Sequence, residues 1–131
     1  MSGANEKNRV LIVDDERVIA DSLALIFSNE GYAGRAVYSA EQALELISEW
    51  IPQLAIIDVQ LPGMNGVDLA IHLKEEYRDC IVTLFAGQAA TSDLLASARQ
   101  RGHFLDILEK PVHPSELLIL ASRLLDRSER S

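Results

Sequence analysis

The sequence predicts an α/β fold, a five-stranded parallel sheet with helices on both faces. Two observations carry this. Short runs of leucine and β-branched residues alternate along the chain with segments whose apolar residues recur at helical spacing. Several of the strand runs are apolar at consecutive positions, as expected of strands buried on both faces in a parallel sheet.

Val10 to Val13 is the first such run. Behind it Ile19, Leu23, Ile26 and Phe27 line one helical face, and Gly31 ends that helix. Ala33 to Val37 reads as a weaker second strand. Ser39 and Gln42 then form a capping-box signature, with Ala43, Leu44 and Ile47 on the apolar side of a second helix and Pro52 past its end. Leu54 to Ile57 is the third strand. Pro62, Gly63 and Gly66 mark a loop, and Val67 to Tyr77 a third helix. Ile81 to Phe85 is the fourth strand. Thr91 or Ser92 caps a fourth helix carrying Leu94, Leu95 and Ala98, which Gly102 ends. Leu105 to Leu108 is the fifth strand, and Pro114 opens a last helix with Leu117, Leu118, Ala121, Leu124 and Leu125 on its apolar side. This alternation fits a doubly wound, flavodoxin-like (βα)5 sheet of order 2-1-3-4-5, whose ligands bind beyond the carboxyl ends of the strands. Periodicity by itself yields the class, not the strand order.

A chain of 131 residues with 48% hydrophobic content is expected to form one domain, over residues 9–127. Residues 1–8 read as a flexible N-terminal tail and 128–131 as a C-terminal tail, too short for an output domain. The formal net charge of −8 disfavours direct contact with nucleic acid. The single Cys80 has no internal disulfide partner and reads as a small core residue. The start of the chain is polar, without a signal-peptide pattern, and no run approaches the roughly 18 apolar residues of a membrane span. A cytoplasmic protein is expected.

Three aspartates sit where strands end: Asp14 and Asp15 after the first, Asp58 after the third. A lone strand-end aspartate is ordinarily a turn or capping residue. Three on neighbouring ends of a parallel sheet should converge, raise one another's pKa and favour a hard divalent cation such as Mg²⁺. Lys110 follows the fifth strand and precedes Pro111. An isolated lysine is ordinarily a solvated surface group, but this one lies between apolar Leu105–Leu108 and a proline, within reach of the same crevice.

The segments Val10-Leu11-Ile12-Val13-Asp14-Asp15-Glu16, Asp58-Val59-Gln60-Leu61-Pro62-Gly63-Met64-Asn65-Gly66 and Lys110-Pro111 together resemble the receiver domains of two-component response regulators, over roughly Arg9 to Arg127. The resemblance implies a phosphoacceptor switch in a phosphorelay rather than an enzyme with a separate substrate. It implies phosphorylation on Asp58, and Mg²⁺ held by Asp14, Asp15, Asp58 and the backbone carbonyl of Gln60. Lys110 would contact the acyl phosphate, and the Lys110–Pro111 bond would be cis. The implied donor is a histidine kinase or histidine phosphotransfer protein. Output would run through protein contacts, with dimerisation or target binding through the face of the fourth helix, fifth strand and fifth helix. Ile19 on the first helix is a candidate for donor docking, with core packing as the alternative.

The family usually carries Ser or Thr at the end of the fourth strand. Here that position falls on Ala86, and alignment with Phe85 equally lacks a hydroxyl. Thr83, three residues back, should point to the opposite side of the strand. Where the family tends to have Tyr or Phe three residues before the lysine, this chain has Ile107. These departures bear on how phosphorylation would change the surface, and favour the alternative of a phosphorylation-independent interaction module. A phosphatase on a similar fold would want an acid where Gln60 stands, and a flavin site a hydroxyl- and glycine-rich loop where Asp14 and Asp15 stand. His72, His103 and His113 show no metal-ligand spacing, and His113 is placed to cap the last helix.

Overall fold

The computed structural model describes residues 8–87, 96, 99–100, 102, 106–110 and 112–130. The strands β1 (Arg9–Val13), β2 (Ala33–Val37), β3 (Leu54–Asp58), β4 (Ile81–Ala86) and β5 (Asp106–Glu109) form one sheet. All pair in parallel, in the order β2-β1-β3-β4-β5. The helices α1 (Arg17–Asn29), α2 (Ala40–Ile47), α3 (Gly66–Glu76) and α4 (Pro114–Arg130) pack on it. The expected doubly wound, flavodoxin-like order is the observed one. The capping residue Thr91 or Ser92, the apolar Leu94, Leu95 and Ala98, the strand start Leu105, His103 and Pro111 with its expected cis bond lie outside the described residues, as do residues 1–7.

The continuous apolar runs have the cause expected of them. Alternate residues of each strand feed opposite faces of the sheet. Leu11, Val13, Ala55, Ile57, Val82, Leu84 and Ala86 pack with Ala40, Ala43 and Ile47 of α2 and Leu69, Ala70 and Leu73 of α3. Val10, Ile12, Leu54, Ile56 and Phe85 pack on the other side with Leu23, Ala24 and Phe27 of α1 and Leu117, Ala121 and Leu125 of α4. Each fully buried Leu, Ile or Phe stabilises the fold by about 1.5–3 kcal/mol. Cys80 belongs to the α2–α3 side, and burial pushes its thiol up to about 12.

Local chemistry sets the helix ends. Ser39 Oγ accepts from the Gln42 N–H at 3.1 Å, and Gln42 Oε1 reaches back to the Tyr38 N–H at 2.9 Å, one residue earlier than in the usual capping box. Asn65 caps α3 through the Asp68 N–H at 2.9 Å, so Gly66, expected in the loop, is the first helical residue. His113 caps α4: its Nδ1 accepts from the Ser115 N–H at 3.2 Å, while Glu116 Oε1 accepts from the His113 N–H at 3.3 Å. No Gly or Pro follows Pro114, and α4 continues to Arg130, into residues 128–131 that read as a tail.

Candidate functional site

β3 and β2 lie on opposite sides of β1, so the order of the sheet reverses there and a crevice opens beyond the strand ends. Asp58 is the last residue of β3, and Asp14 and Asp15 follow β1 directly. One carboxylate oxygen of each lies within 4.8 Å of the others. Asp14 and Asp58 are buried, whereas Asp15 is exposed. Lys110, just past β5, brings its Nζ to 2.9 Å from Asp58 Oδ2 and 3.6 Å from Asp14 Oδ2.

Backbone donors orient the two buried carboxylates. The Glu16 N–H donates to Asp14 Oδ1 at 3.0 Å and the Gln60 N–H to Asp58 Oδ1 at 3.1 Å. Asp14 Oδ2 is buried and accepts no hydrogen bond among the described residues. Burial raises the Asp14 pKa to about 6; the Glu16 N–H opposes this, and the charge of Asp58 adds to it. For Lys110, burial works against the charge, but the hydrogen bond and charge of Asp58, with Asp14 and Glu16 behind it, prevail and raise the pKa. A buried carboxylate oxygen with no donor, beside two further carboxylates, is a hard oxygen ligand set short of positive charge. It fits a small divalent cation such as Mg²⁺.

The loop from β3 to α3 is held closely. The Gly66 N–H donates to the Val59 carbonyl at 2.9 Å, and a Cβ at Gly66 would sit 2.0 Å from the Asp58 carbonyl oxygen, which only glycine avoids. Gly63 takes a φ of 72°, and the next N–H, of Met64, donates to Glu41 Oε2 at 3.1 Å. Glu41 thus ties α2 to the loop that carries Gln60.

Ala86 ends β4, one residue past Phe85, the register partner of Asp58. It is buried with Leu84 on the α2–α3 side, and it offers no hydroxyl. Thr83 alternates with Leu84 and so faces the other side. Its buried Oγ1 has no hydrogen-bond partner among the described residues. Ile107 is half-buried, opposite Leu84 in the register and packed with the same cluster as Ala86. Phe85 instead places its ring under Lys110, with Nζ 4.8 Å from the ring centroid. Neither this contact nor the Glu41 tie shows in the sequence, because each joins elements distant along the chain.

A doubly wound sheet with three converging carboxylates and a lysine at its carboxyl end defines an α/β protein whose crevice suits a divalent cation. The sequence matches the family model described as "Response regulator receiver domain" over residues 10–122, and the chain belongs to that family. It is 32% identical over 123 residues to the DNA-binding response regulator MtrA of Mycolicibacterium smegmatis, covering 94% of this chain and 53% of that protein. It is also 32% identical over 123 residues to the regulatory protein VanR of Enterococcus faecium, covering 94% of this chain and 52% of the relative. The chain thus spans about half the length of these relatives. A CheY-like receiver domain protein from Methanospirillum hungatei superposes with a TM-score of 0.85 at 29% identity, over 95% of this chain and 98% of that one. The receiver domain of NtrX from Brucella abortus superposes with a TM-score of 0.75 at 33% identity, over 89% and 98%. The chain is therefore a receiver domain homologous to the response regulators of two-component systems. Among the described residues, no helix is long and apolar enough to cross a membrane.

Proposed function

We propose that Asp58 is the phosphoacceptor, and that Mg²⁺ is held by Asp14, Asp15, Asp58 and the backbone carbonyl of Gln60. The observation that carries this is the convergence of three carboxylates with Lys110 Nζ, 2.9 Å from Asp58 Oδ2. An Asp58 carboxylate oxygen attacks the phosphorus of a phosphohistidine. The oxygen–phosphorus bond forms as the phosphorus–nitrogen bond breaks, and the imidazole leaves with the electron pair and takes up a proton. Lys110 offsets charge on the phosphoryl oxygens, and the Gln60 N–H keeps Asp58 oriented. Bound Mg²⁺ supplies Lewis-acid neutralisation of the phosphoryl group and of the crowded carboxylates. Water attacking the same phosphorus returns Asp58 to its carboxylate, so the chain acts on its own phosphoryl group at both ends of the cycle.

The donor is a histidine kinase or histidine phosphotransfer protein. A cavity of about 450 Å³ beside the crevice, lined by Ile19, Leu23, Phe85, Lys110, Val112 and Leu117, supports donor docking there, because the donor imidazole must approach Asp58. Residues 9–127 act as the receiver domain in the cytoplasm, and output runs through protein contacts. A second reading, an interaction module that does not use phosphate, is favoured by Ala86 and Ile107 alone.

Amide NMR during beryllofluoride titration with Mg²⁺, on wild type and Asp58→Asn, tests the first reading. Saturable, Mg²⁺-dependent shifts that vanish in Asp58→Asn are expected. Absence of binding by wild type at millimolar Mg²⁺ would overturn it in favour of the second.

A further inference from the structure

Phe85 lies on the α1–α4 side of the sheet, 3% exposed, among Ile12, Ile56 and Leu117. Its register partner in β5 is Leu108, and the chain two residues on brings Lys110 back over the ring. The ammonium therefore has three attractors: Asp58 Oδ2 at 2.9 Å, Asp14 Oδ2 at 3.6 Å and the ring centroid at 4.8 Å. The Lys110 side chain is 25% exposed, so water competes for its head group.

The three attractors differ in what phosphorylation does to them. Conversion of Asp58 to an acyl phosphate replaces the carboxylate oxygen that Lys110 pairs with at rest by phosphoryl oxygens at a new position, so the ammonium must re-pair. Binding of a cation at the crevice likewise competes for Asp14. The negative face of an aromatic ring is unaltered by either event. Ala86 contributes no hydroxyl to the phosphoryl group, whereas Lys110 Nζ already stands 2.9 Å from Asp58 Oδ2.

We propose that Phe85 is a positioning residue for Lys110: its ring face holds the ammonium over the crevice while Asp58 changes from carboxylate to acyl phosphate. The resting contact stands on geometry alone, and its role through the cycle rests on the reading of Asp58 as phosphoacceptor. Neighbouring aliphatic side chains would fill the same volume but exert no such attraction. Phe85 and Lys110 both line the cavity beside the crevice.

The decisive variant replaces Phe85 with pentafluorophenylalanine, which nearly preserves shape but reverses the ring quadrupole. Phe85→Leu and Phe85→Tyr accompany it. The first readout is the Lys110 side-chain NMR signal in metal-free, phosphate-free protein. Its Hε resonances are expected upfield of random-coil lysine values through the ring current, and to move to ordinary values in Phe85→Leu and in the fluorinated protein. The second is beryllofluoride affinity with Mg²⁺. It is expected to fall roughly 3- to 10-fold in Phe85→Leu and in the fluorinated protein, and to be retained in Phe85→Tyr. In a Lys110→Met background the fluorinated ring should cost nothing further. A fluorinated protein that keeps both the Lys110 shift and the affinity of wild type would overturn the proposal. So would an equal loss of affinity with and without Lys110, which would mark Phe85 as packing only. Wild type that binds no beryllofluoride would sink the phosphoacceptor reading, while the Lys110 shift would still decide whether the ring holds the ammonium.

Discussion

Asp14 shows how one side chain carries the cost of a site. Its carboxylate is buried, one oxygen is satisfied by the Glu16 N–H, and the other faces two further carboxylates without a donor. Folding therefore raises its pKa from 3.8 to about 6, mainly through burial. The direction of the resulting pH dependence follows from proton counting. Between about 4 and about 6 the folded state binds more protons at Asp14 than the unfolded chain does, so this residue's contribution to stability declines as pH rises through that window. Urea unfolding in the presence of a chelator should show that loss, and Asp14→Asn should remove it while stabilising the metal-free protein at neutral pH. A wild-type pH profile parallel to that of Asp14→Asn would contradict the assignment.

The element that matters most is the turn from β3 into α3. Asp58 ends the strand, the Gly66 N–H returns to Val59, and Asn65 caps the helix that follows. The approach of Gly66 to the Asp58 carbonyl leaves no room for a methyl group, because the obstructing atoms are backbone atoms of Asp58 and Val59. Gly66→Ala is expected to destabilise the protein by about 1–3 kcal/mol and to weaken Mg²⁺ binding by moving the backbone of Asp58. Chemical denaturation and Mg²⁺ titration check the two effects separately. Glu41 performs the complementary task from α2, and the Met64 N–H it accepts holds its carboxyl below the usual range. Loop and helix are thus tied together although 23 residues separate the two partners.

At the scale of the whole molecule, two apolar layers clamp the sheet, and the acidic crevice sits where that clamp ends. β1, which Asp14 follows, and β3, which Asp58 ends, are interior strands of the sheet, so both carboxylates stand at the ends of buried strands. On the proposed reading, a divalent cation would relieve the repulsion of the crowded carboxylates only in the folded state, since the unfolded chain does not hold the three together. Mg²⁺ at a hundredfold excess over its dissociation constant is expected to stabilise the protein by about 2.7 kcal/mol. Thermal unfolding with and without Mg²⁺ measures this, and Asp58→Asn should lose most of the increment. An equal Mg²⁺ response in wild type and Asp58→Asn would place the cation elsewhere.

The sequence by itself determined the α/β class, the alternation of elements and the strand ends on which Asp14, Asp15, Asp58 and Lys110 stand. It did so because apolar periodicity and glycine or proline punctuation are local properties, readable from a few neighbours. The Ser39 cap and the His113 cap were local in the same sense. The strand order came from the fit to a flavodoxin-like sheet, which periodicity alone could not fix, and the pairing of the strands established it. Only the tertiary structure decided the ring of Phe85 beneath Lys110 and the grip of Glu41 on Met64. It also decided which oxygen of Asp14 is left without a donor. These depend on distances between elements far apart in the chain. The register of a sheet and the seating of a helix set such distances, and no single segment encodes them.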